Sequence, residues 1–479
     1  MVAPAKHDDP ARAAPTVETG ARQRVARLRL APTRTFIVLA AVLLVVPALA
    51  ELVDGRAVWL LVAAAGALSV VAAVDALLGT GRAGGVEAMT ERVTRLNLAR
   101  AGSVSLVLRA TGASSRCVRA GLDMPADLGI EPDEPLVDLP ADGGGTRLTW
   151  QAAPRRRGRF LWETLHLEAR SPLDLWTVRW SVALLGEIRV YPDLRSEGRQ
   201  VSALFMRRSS VGARLQRMVG RGREFEKLRE YLPGDGYDEI HWKATAKRGH
   251  PVTKVFQVER TQEVYAVVDA SRLSGREAGA PVVVGGSQTF VPSLLERQIN
   301  AALALALAAE RQQDHFGLVT YADTPRTFVR ARSGAAHFQA CREAMVALQS
   351  EPASPDLREV CTFLRARLTK RALLMFLVSL DDPALAEAFV DAVQVIARHH
   401  VVVVATPRPP DAASLFGGPA PADLDGAYAR LGGHLRWQGL QDLGARLHRL
   451  GVHHALLERD ALAAGAISHY MALKQRQLI

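Results

Sequence analysis

The residues best equipped for chemistry run from Gly222 to Ser274. The stretch opens Gly-Arg-Glu-Phe-Glu-Lys-Leu-Arg-Glu-Tyr-Leu-Pro-Gly-Asp-Gly (222–236) and continues through Ile240-His-Trp-Lys-Ala-Thr-Ala-Lys-Arg248. It ends on an apolar segment closing with Val-Val-Asp-Ala-Ser (267–271). A charged, Trp-bearing loop thus feeds a strand with Asp-x-Ser at its carboxyl end, the edge of an open α/β sheet where ligands and metals sit. Pro233-Gly234 followed by Asp235-Gly236 suits a tight turn, because Pro presets φ and Gly accepts positive φ. Such a turn sets Glu230, Tyr231, Asp235 and Asp238 near Trp242, Lys243, Lys247 and Arg248. Two readings stay open. One is a pre-organised surface for a protein partner, built from Arg229, Tyr231, Asp235, His241, Trp242, Lys243, Lys247 and Arg248, with Trp242 and Arg229 as anchors. The other is an internal ion-pair network bracing two domains.

Other chemistries find little support. No Gly-x-Ser-x-Gly elbow and no Cys nucleophile accompanies His241 and Asp235, so no complete catalytic constellation exists and His241 reads as structural. His399-His400 and His453-His454 flank strands rather than sitting one helical turn apart, which makes poor metal motifs. Neither a Gly-x-Gly-x-x-Gly after the first strand nor a Walker-type Gly-Lys-Ser/Thr occurs, which disfavours nucleotide binding. Cys117, Cys341 and Cys361 are widely separated and odd in number, the pattern of reduced structural thiols. A net charge of +11 permits anionic partners, lipid or nucleic acid. Arg207, Arg208, Arg214, Arg217, Arg221 and Arg223 supply charge, yet Phe205 and Phe225 are too few for a base-stacking platform, so no nucleic-acid partner is expected.

The positioning elements begin with two apolar runs, Phe36 to Leu52 and Ala57 to Leu78, the second interrupted only by Gly66, Ser69 and Asp75. A bilayer core needs roughly 20 helical residues, so residues 35–80 read as a transmembrane hairpin. Lys6, Arg12, Arg22, Arg24, Arg27, Arg29 and Arg34 precede the first run, and the connecting turn holds a single Arg56. The positive-inside rule then puts both termini and the soluble domains in the cytoplasm, at the plasma (inner) membrane. Residues 1–34, rich in Ala, Pro and charge, read as a disordered basic tail. Residues 90–195 show short alternating segments punctuated by Gly, Pro and Asp, the pattern of a small antiparallel β-sandwich. The basic run Arg155 to Arg159 reads as a solvated loop or lipid-facing patch. A linker segment, 196–260, carries the charged signature. Residues 261–479 alternate apolar strands with helices, which argues for an α/β domain with a doubly wound, mostly parallel sheet. Pro407 to Tyr428 reads as an excursion between its last units.

Glu224-Phe225, Leu228-Arg229-Glu230-Tyr231, Pro233-Gly234-Asp235, Ile240-His241-Trp242-Lys243-Ala244 and Ala246-Lys247-Arg248 together resemble DUF family 58, bacterial proteins of unknown function. The likeness extends over most of the chain after the apolar runs, including Arg157-Gly-Arg-Phe160 and Ser171-Pro-Leu-Asp-Leu175. It implies a membrane-tethered protein with a von Willebrand factor A-like domain, working with a MoxR-type AAA+ ATPase in assembly or activation of an envelope-associated complex. It also implies a magnesium site of Asp-x-Ser-x-Ser, a Thr and an Asp drawn from three loops, because small hard cations prefer such oxygens. Here Asp269 and Ser271 match, Leu273 replaces the second serine, Ser354 stands in for the threonine, and Asp381 follows the third strand. Two further classes stay open beside the interaction module: a magnesium-dependent hydrolase using Asp269, Ser271 and Asp381, and a lipid- or nucleic-acid-binding module.

Overall fold

The computed structural model describes residues 25–51, 57–83, 86–110, 116–130, 134–140, 144–195, 197–199, 201–203, 219–232, 236–237, 240–257, 261–279, 281–284, 288–417 and 423–476. The turn at Pro233, Gly234 and Asp235, together with Asp238, the arginines at 207–217 and the tail before residue 25, lies outside them. The chain forms two compact units, one comprising the residues up to Tyr191 with Val283–Phe290, the other Pro192–Val282 with Val291–Ile479.

The first unit begins with strand β1 (Val25–Pro32) and helices α1 (Arg34–Glu51) and α2 (Ala57–Ala83). Strands follow: β2 (Val86–Thr90), β3 (Val93–Asn97), β4 (Gly102–Ala110), β5 (Arg116–Leu122), β6 (Leu136–Leu139), β7 (Gly145–Ala152), β8 (Gly158–Arg170) and β9 (Trp176–Tyr191). One sheet runs β1-β9-β8-β5-β6 with β3 on β9, and a smaller one runs β2-β4-β7. Alternation decides which side chains turn inward: β4 buries Val104, Leu106 and Leu108 while its intervening residues stay more open. These meet Trp150, Trp162, Trp180 and Ile188 in one shared core, so three of the tryptophans are packing residues. The pairings are antiparallel except β3 with β9, which is parallel.

Two sequence expectations are corrected in this unit. Residues 25–32, assigned to a disordered tail, form an edge strand on β9, with Val25 opposite Val182 and Pro32 opposite Trp176. Their arginines masked the alternation, and the partner strand lies far along the chain. Within the basic run 155–159, Arg157 is 1% exposed rather than solvated.

Among the described residues one helix segment, Val62–Gly81, is long and apolar enough to cross a membrane. Helices α1 and α2 contact each other, and α2 also contacts β8 and β9. Residue spacing explains that docking face: Ala72, Asp75 and Gly79 are buried while Val70, Val74, Leu77 and Leu78 stay exposed. A Cβ on Gly79 would sit 3.0 Å from Val178 Cγ2 and 3.2 Å from Ser171 Cβ, so any larger residue there would have to push these neighbours back by a few tenths of an ångström.

The second unit opens with strand β10 (Val219–Glu230), helix α3 (Trp242–Arg248) and strand β11 (Val252–Gln257). Strand β12 (Glu263–Asp269) follows; next in the chain comes a short ribbon of β13 (Val282–Val284) and β14 (Gln288–Phe290), which from Val283 on counts with the first unit. The remainder alternates: α4 (Leu294–Arg311), β15 (His315–Tyr321), β16 (Pro325–Arg332), α5 (Ala335–Val346), α6 (Leu357–Arg367), β17 (Ala372–Leu377), α7 (Pro383–Ala397), β18 (Val401–Pro407), α8 (Leu424–Arg449), β19 (His453–Leu457) and α9 (Leu462–Gln475). The sheet order is β16-β15-β12-β17-β18-β19, parallel throughout except for edge strand β16. Continuous apolar runs such as Ala-Leu-Leu-Met-Phe-Leu in β17 are required because both faces are covered. On one face Val264, Ala266 and Val268 pack with Ile299 of α4, Met345 of α5 and Ile467 of α9. On the other, Tyr265 and Val267 pack with Val360 of α6, Phe389 of α7 and Leu447 of α8.

Helix α8 was not anticipated, and it overlaps the stretch read as an excursion. Glycines at 426, 432, 433, 439 and 444 dilute its helical signal, and its first half leaves Leu424, Tyr428, Leu431 and Leu435 exposed. Only Leu440, Leu443 and Leu447 near its end are buried apolar anchors.

At the amino ends of the parallel strands, Asp314 fastens the last helix to the unit. Its buried carboxylate accepts from the Tyr470 hydroxyl, from Lys474 Nζ at 2.6 Å and from the Gln262 N–H at 3.0 Å. Replacing Asp314 by Ala strips all three donors of their acceptor and is expected to cost about 2–4 kcal/mol, whereas Tyr470→Phe costs about 1 kcal/mol. Urea unfolding of the full chain in detergent measures both; an Asp314→Ala midpoint equal to that of the parent removes the tie.

Candidate functional site

Strand β12 lies at the centre of its sheet, and the chain passes to one side of it for β15 and to the other for β17. In open α/β sheets such a reversal marks the carboxyl ends of the strands as the place where ligands bind. Asp269, the last residue of β12, therefore stands at the switch point. It is fully buried, its Oδ1 accepts from the Ser271 N–H at 2.8 Å, and its Oδ2 has no hydrogen-bond partner among the described residues. Burial pushes the Asp269 carboxyl up to about 6, against the lowering effect of the Ser271 hydrogen bonds. The neighbouring Tyr321 hydroxyl is likewise buried without a partner, and burial with the Asp269 charge raises it well above its ordinary value.

Of the other three residues of the expected metal set, one shares the Asp269 turn and two are engaged elsewhere. Ser271 is buried in the same turn, with Ser274 Oγ donating to its carbonyl at 2.7 Å. Ser354 Oγ accepts from Arg272 Nε at 3.3 Å, and the Arg272 N–H donates to Ala353 at 3.0 Å. Asp381 accepts from Ser379 Oγ at 2.8 Å and pairs with Arg276 Nη1 at 2.8 Å. Leu273, at the second serine position, is buried and offers no oxygen. Asp269 and Ser271 are thus brought together by one turn, while Ser354 and Asp381 are each held by an arginine from that same loop. No cluster of three or more His, Cys, Asp or Glu side chains able to hold a metal occurs among the described residues. The donor set does not fit a divalent cation as it stands, because a cation would have to displace the Arg276 guanidinium from Asp381.

The charged signature forms an antiparallel ribbon, with β10 paired to β11 from Phe225 opposite Phe256 to Glu230 opposite Val252. Helix α3 lies between the two strands in sequence and is tied to the second by the His241 N–H donating to the Val252 carbonyl at 2.8 Å. His241 caps the helix, its Nδ1 accepting from the Ala244 N–H at 3.1 Å. Gly249, at φ 75°, ends the helix in the left-handed conformation that glycine adopts without steric cost. Thr245 Oγ1 accepts from the Val252 N–H at 3.1 Å, fastening the helix to the ribbon. None of the residues of α3 is buried: Trp242 is 66% exposed, and Lys243, Lys247 and Arg248 are exposed with it. Tyr231 is partly buried, its N–H donating to the Pro251 carbonyl at 3.1 Å, and Arg229 lies on β10 opposite Thr253. Glu230 faces His250 at 3.7 Å, both exposed. Asp235 is outside the described residues.

Sequence reasoning missed Arg272 and Arg276, although both lie in the loop that follows Asp269. The available signal was their spacing, two basic residues interleaved with the Ser-x-Leu-Ser pattern, each able to supply the positive charge that carboxylates at a sheet edge need. The thiols offer no nucleophile there: burial raises Cys341 to about 11 and Cys361 to about 12.

Residues 227–415 match the family model described as "Protein of unknown function DUF58". No curated protein matches the chain. Among solved structures, the conserved hypothetical protein BatB from Bacteroides thetaiotaomicron is similar at 13% identity and a TM-score of 0.30, over 45% of this chain and 99% of its own. An aerotolerance-related membrane protein from Bacteroides fragilis is similar at 13% identity and a TM-score of 0.28, over 43% of this chain and 99% of its own. The matched segment holds most of the signature ribbon and the whole switch-point turn, so in that segment this chain is similar to the DUF58 family of proteins of unknown function.

Proposed function

We propose that the chain is a membrane-anchored docking protein. In this reading α1 and α2 cross the plasma membrane as a hairpin, the soluble units face the cytoplasm, and the second unit is a von Willebrand A-like interaction module. Pairing in the first unit supports the hairpin: β1 precedes α1, β3 follows α2, and both bond to the same strand β9. In this reading the two ends of the helix pair emerge on one side, as an even number of crossings would bring about. The basic residues ahead of α1 favour the cytoplasm for that side.

The observation that carries the docking role is the exposed Trp242 among Lys243, Lys247 and Arg248 on a helix fixed by its cap and by the ribbon. A large aromatic held rigidly in water, ringed by cations, suits a partner with an apolar pocket and an acidic rim. The family resemblance makes a MoxR-type AAA+ ATPase the natural occupant, with nucleotide chemistry belonging to that partner and this chain confining it to the bilayer surface. Binding of the MoxR-type ATPase from the same genome to full-length protein in nanodiscs tests the reading. Trp242→Ala is expected to weaken it by about 2 kcal/mol, a roughly 30-fold rise in Kd. Equal affinity of parent and variant, or no binding by the parent, overturns the assignment.

A second reading, a magnesium-dependent site at the switch point, is favoured only by the orphaned Asp269 Oδ2. The sign of one substitution separates the two. With its folded value raised to about 6 from 3.8, Asp269 keeps its proton in the folded state after the unfolded chain has lost it. Folded stability therefore falls as pH rises from about 4 to 6 and stays lower above that. Asp269→Asn keeps the acceptor for Ser271, removes this loss, and is expected to gain about 1–3 kcal/mol at pH 7.5, with the gain vanishing near pH 4. A bound cation reverses the sign, so a variant less stable than the parent in millimolar magnesium establishes the metal reading.

A further inference from the structure

A carboxylate stands inside the apolar segment Val62–Gly81, and the way it is satisfied carries a consequence for the β-sandwich. Asp75 is fully buried. Its Oδ2 accepts from Ser171 Oγ and from the Leu175 N–H at 3.3 Å, and its Oδ1 accepts from the Leu173 N–H at 2.9 Å. Every one of these donors comes from the turn that joins β8 to β9. Trp176 Nε1 donates to the Ala72 carbonyl at 2.8 Å, one helical turn before Asp75. The same turn reaches the start of α1: Thr33 Oγ1 donates to the Asp174 carbonyl at 2.6 Å, and the rings of Phe36 and Trp176 lie 5.1 Å apart.

The depth of this turn follows from the helix that holds it. Val62–Gly81 spans 20 residues, about 30 Å of helix, which matches a hydrocarbon core. Asp75 lies six residues inside the end of that segment, roughly 9 Å at 1.5 Å per residue. Beyond Asp75, on the faces that the sandwich leaves open, Leu77 is 72% and Leu78 54% exposed. Leaving those leucines in water would waste the apolar surface they carry, so lipid must reach at least their level. The donors that satisfy Asp75 are then below the level of Leu78. A charge at that depth without partners is costly, and the turn removes the cost by supplying its hydrogen bonds from protein. Leu173, at the turn's tip, is 56% exposed, while Arg170 pairs with Asp174 at 3.0 Å on its flank, a charged rim beside an apolar point.

We infer that the Ser171–Trp176 turn dips into the cytoplasmic leaflet, sealing Asp75 from lipid, with Leu173 as its contact to the acyl chains. The inference rests on α2 crossing the bilayer, and the test keeps the two apart. Full-length chain in a Cys117→Ser background carries a nitrobenzoxadiazole label at Leu173→Cys, at Ser69→Cys within the span, or at Leu161→Cys on the sandwich surface. The buried thiols of Cys341 and Cys361 do not compete for label. Each protein is placed in phosphatidylcholine vesicles containing lipid with a nitroxide near the carbonyl end of one acyl chain. The expected result is strong nitroxide quenching at positions 69 and 173 and weak quenching at 161, with iodide in the buffer quenching 161 several-fold more than 173. A label at 173 that behaves like the one at 161, while 69 remains quenched by lipid, overturns the inference and leaves the span standing. Absence of lipid quenching at 69 overturns the span and the inference with it.

Discussion

Strand β12 has no solvent-facing side, and most of the second unit follows from that constraint. With Val264, Ala266 and Val268 committed to one core and Tyr265 and Val267 to the other, polarity is confined to the strand's two ends. Helices must cover both faces, which sets the alternation of elements. A strand that begins at Glu263 and ends at Asp269 can place chemistry only at its tips. The entry end is used for fastening, where the Gln262 N–H meets Asp314. The exit end is left with a carboxylate oxygen that nothing in the described fold satisfies.

Around that exit, charge is balanced by arginine. Arg276 meets Asp381, Arg297 meets Asp460 at 2.5 Å, and Arg326 bridges Asp323 and Glu351. Guanidinium groups suit this work because their planar donors match carboxylates without giving up their charge. A sheet edge that supplies its own cations is rigid and already paired, whereas one that waits for a divalent ion is loose until the ion arrives. The exposed helix α3 shows the complementary arrangement, with backbone groups capped and side chains left to the solvent.

How much of this was legible in the sequence depends on how far apart the interacting residues lie. Strands β12, β15 and β19 and helices α4 and α7 are visible as apolar runs or spaced apolar positions with Ser293 and Asp382 as caps. Their order in the sheet is not, because nothing local says that β15 and β17 flank β12. Helix α8 escaped because its glycines and its half-exposed leucines blur the period. Strand β1 escaped because an edge strand with one covered face needs few apolar residues. The signature residues lie close together in sequence, and His241 caps α3. The spacing of Arg276 was visible, but its pairing with Asp381, 105 residues away, was not, nor was the tie between Asp75 and Ser171, 96 residues apart.

The pairing of β1 with β9 has a consequence for biogenesis. Translation delivers β1 first, then both apolar helices, then every intervening strand, and only at the end the partner that completes the edge. Both helices are therefore made while that edge is still open. Once β9 arrives and the sheet closes, the ends of the helix pair are clasped together by a folded sheet. Drawing the two ends of the helix pair apart then means peeling a strand from its ladder, so their arrangement is locked by backbone hydrogen bonds.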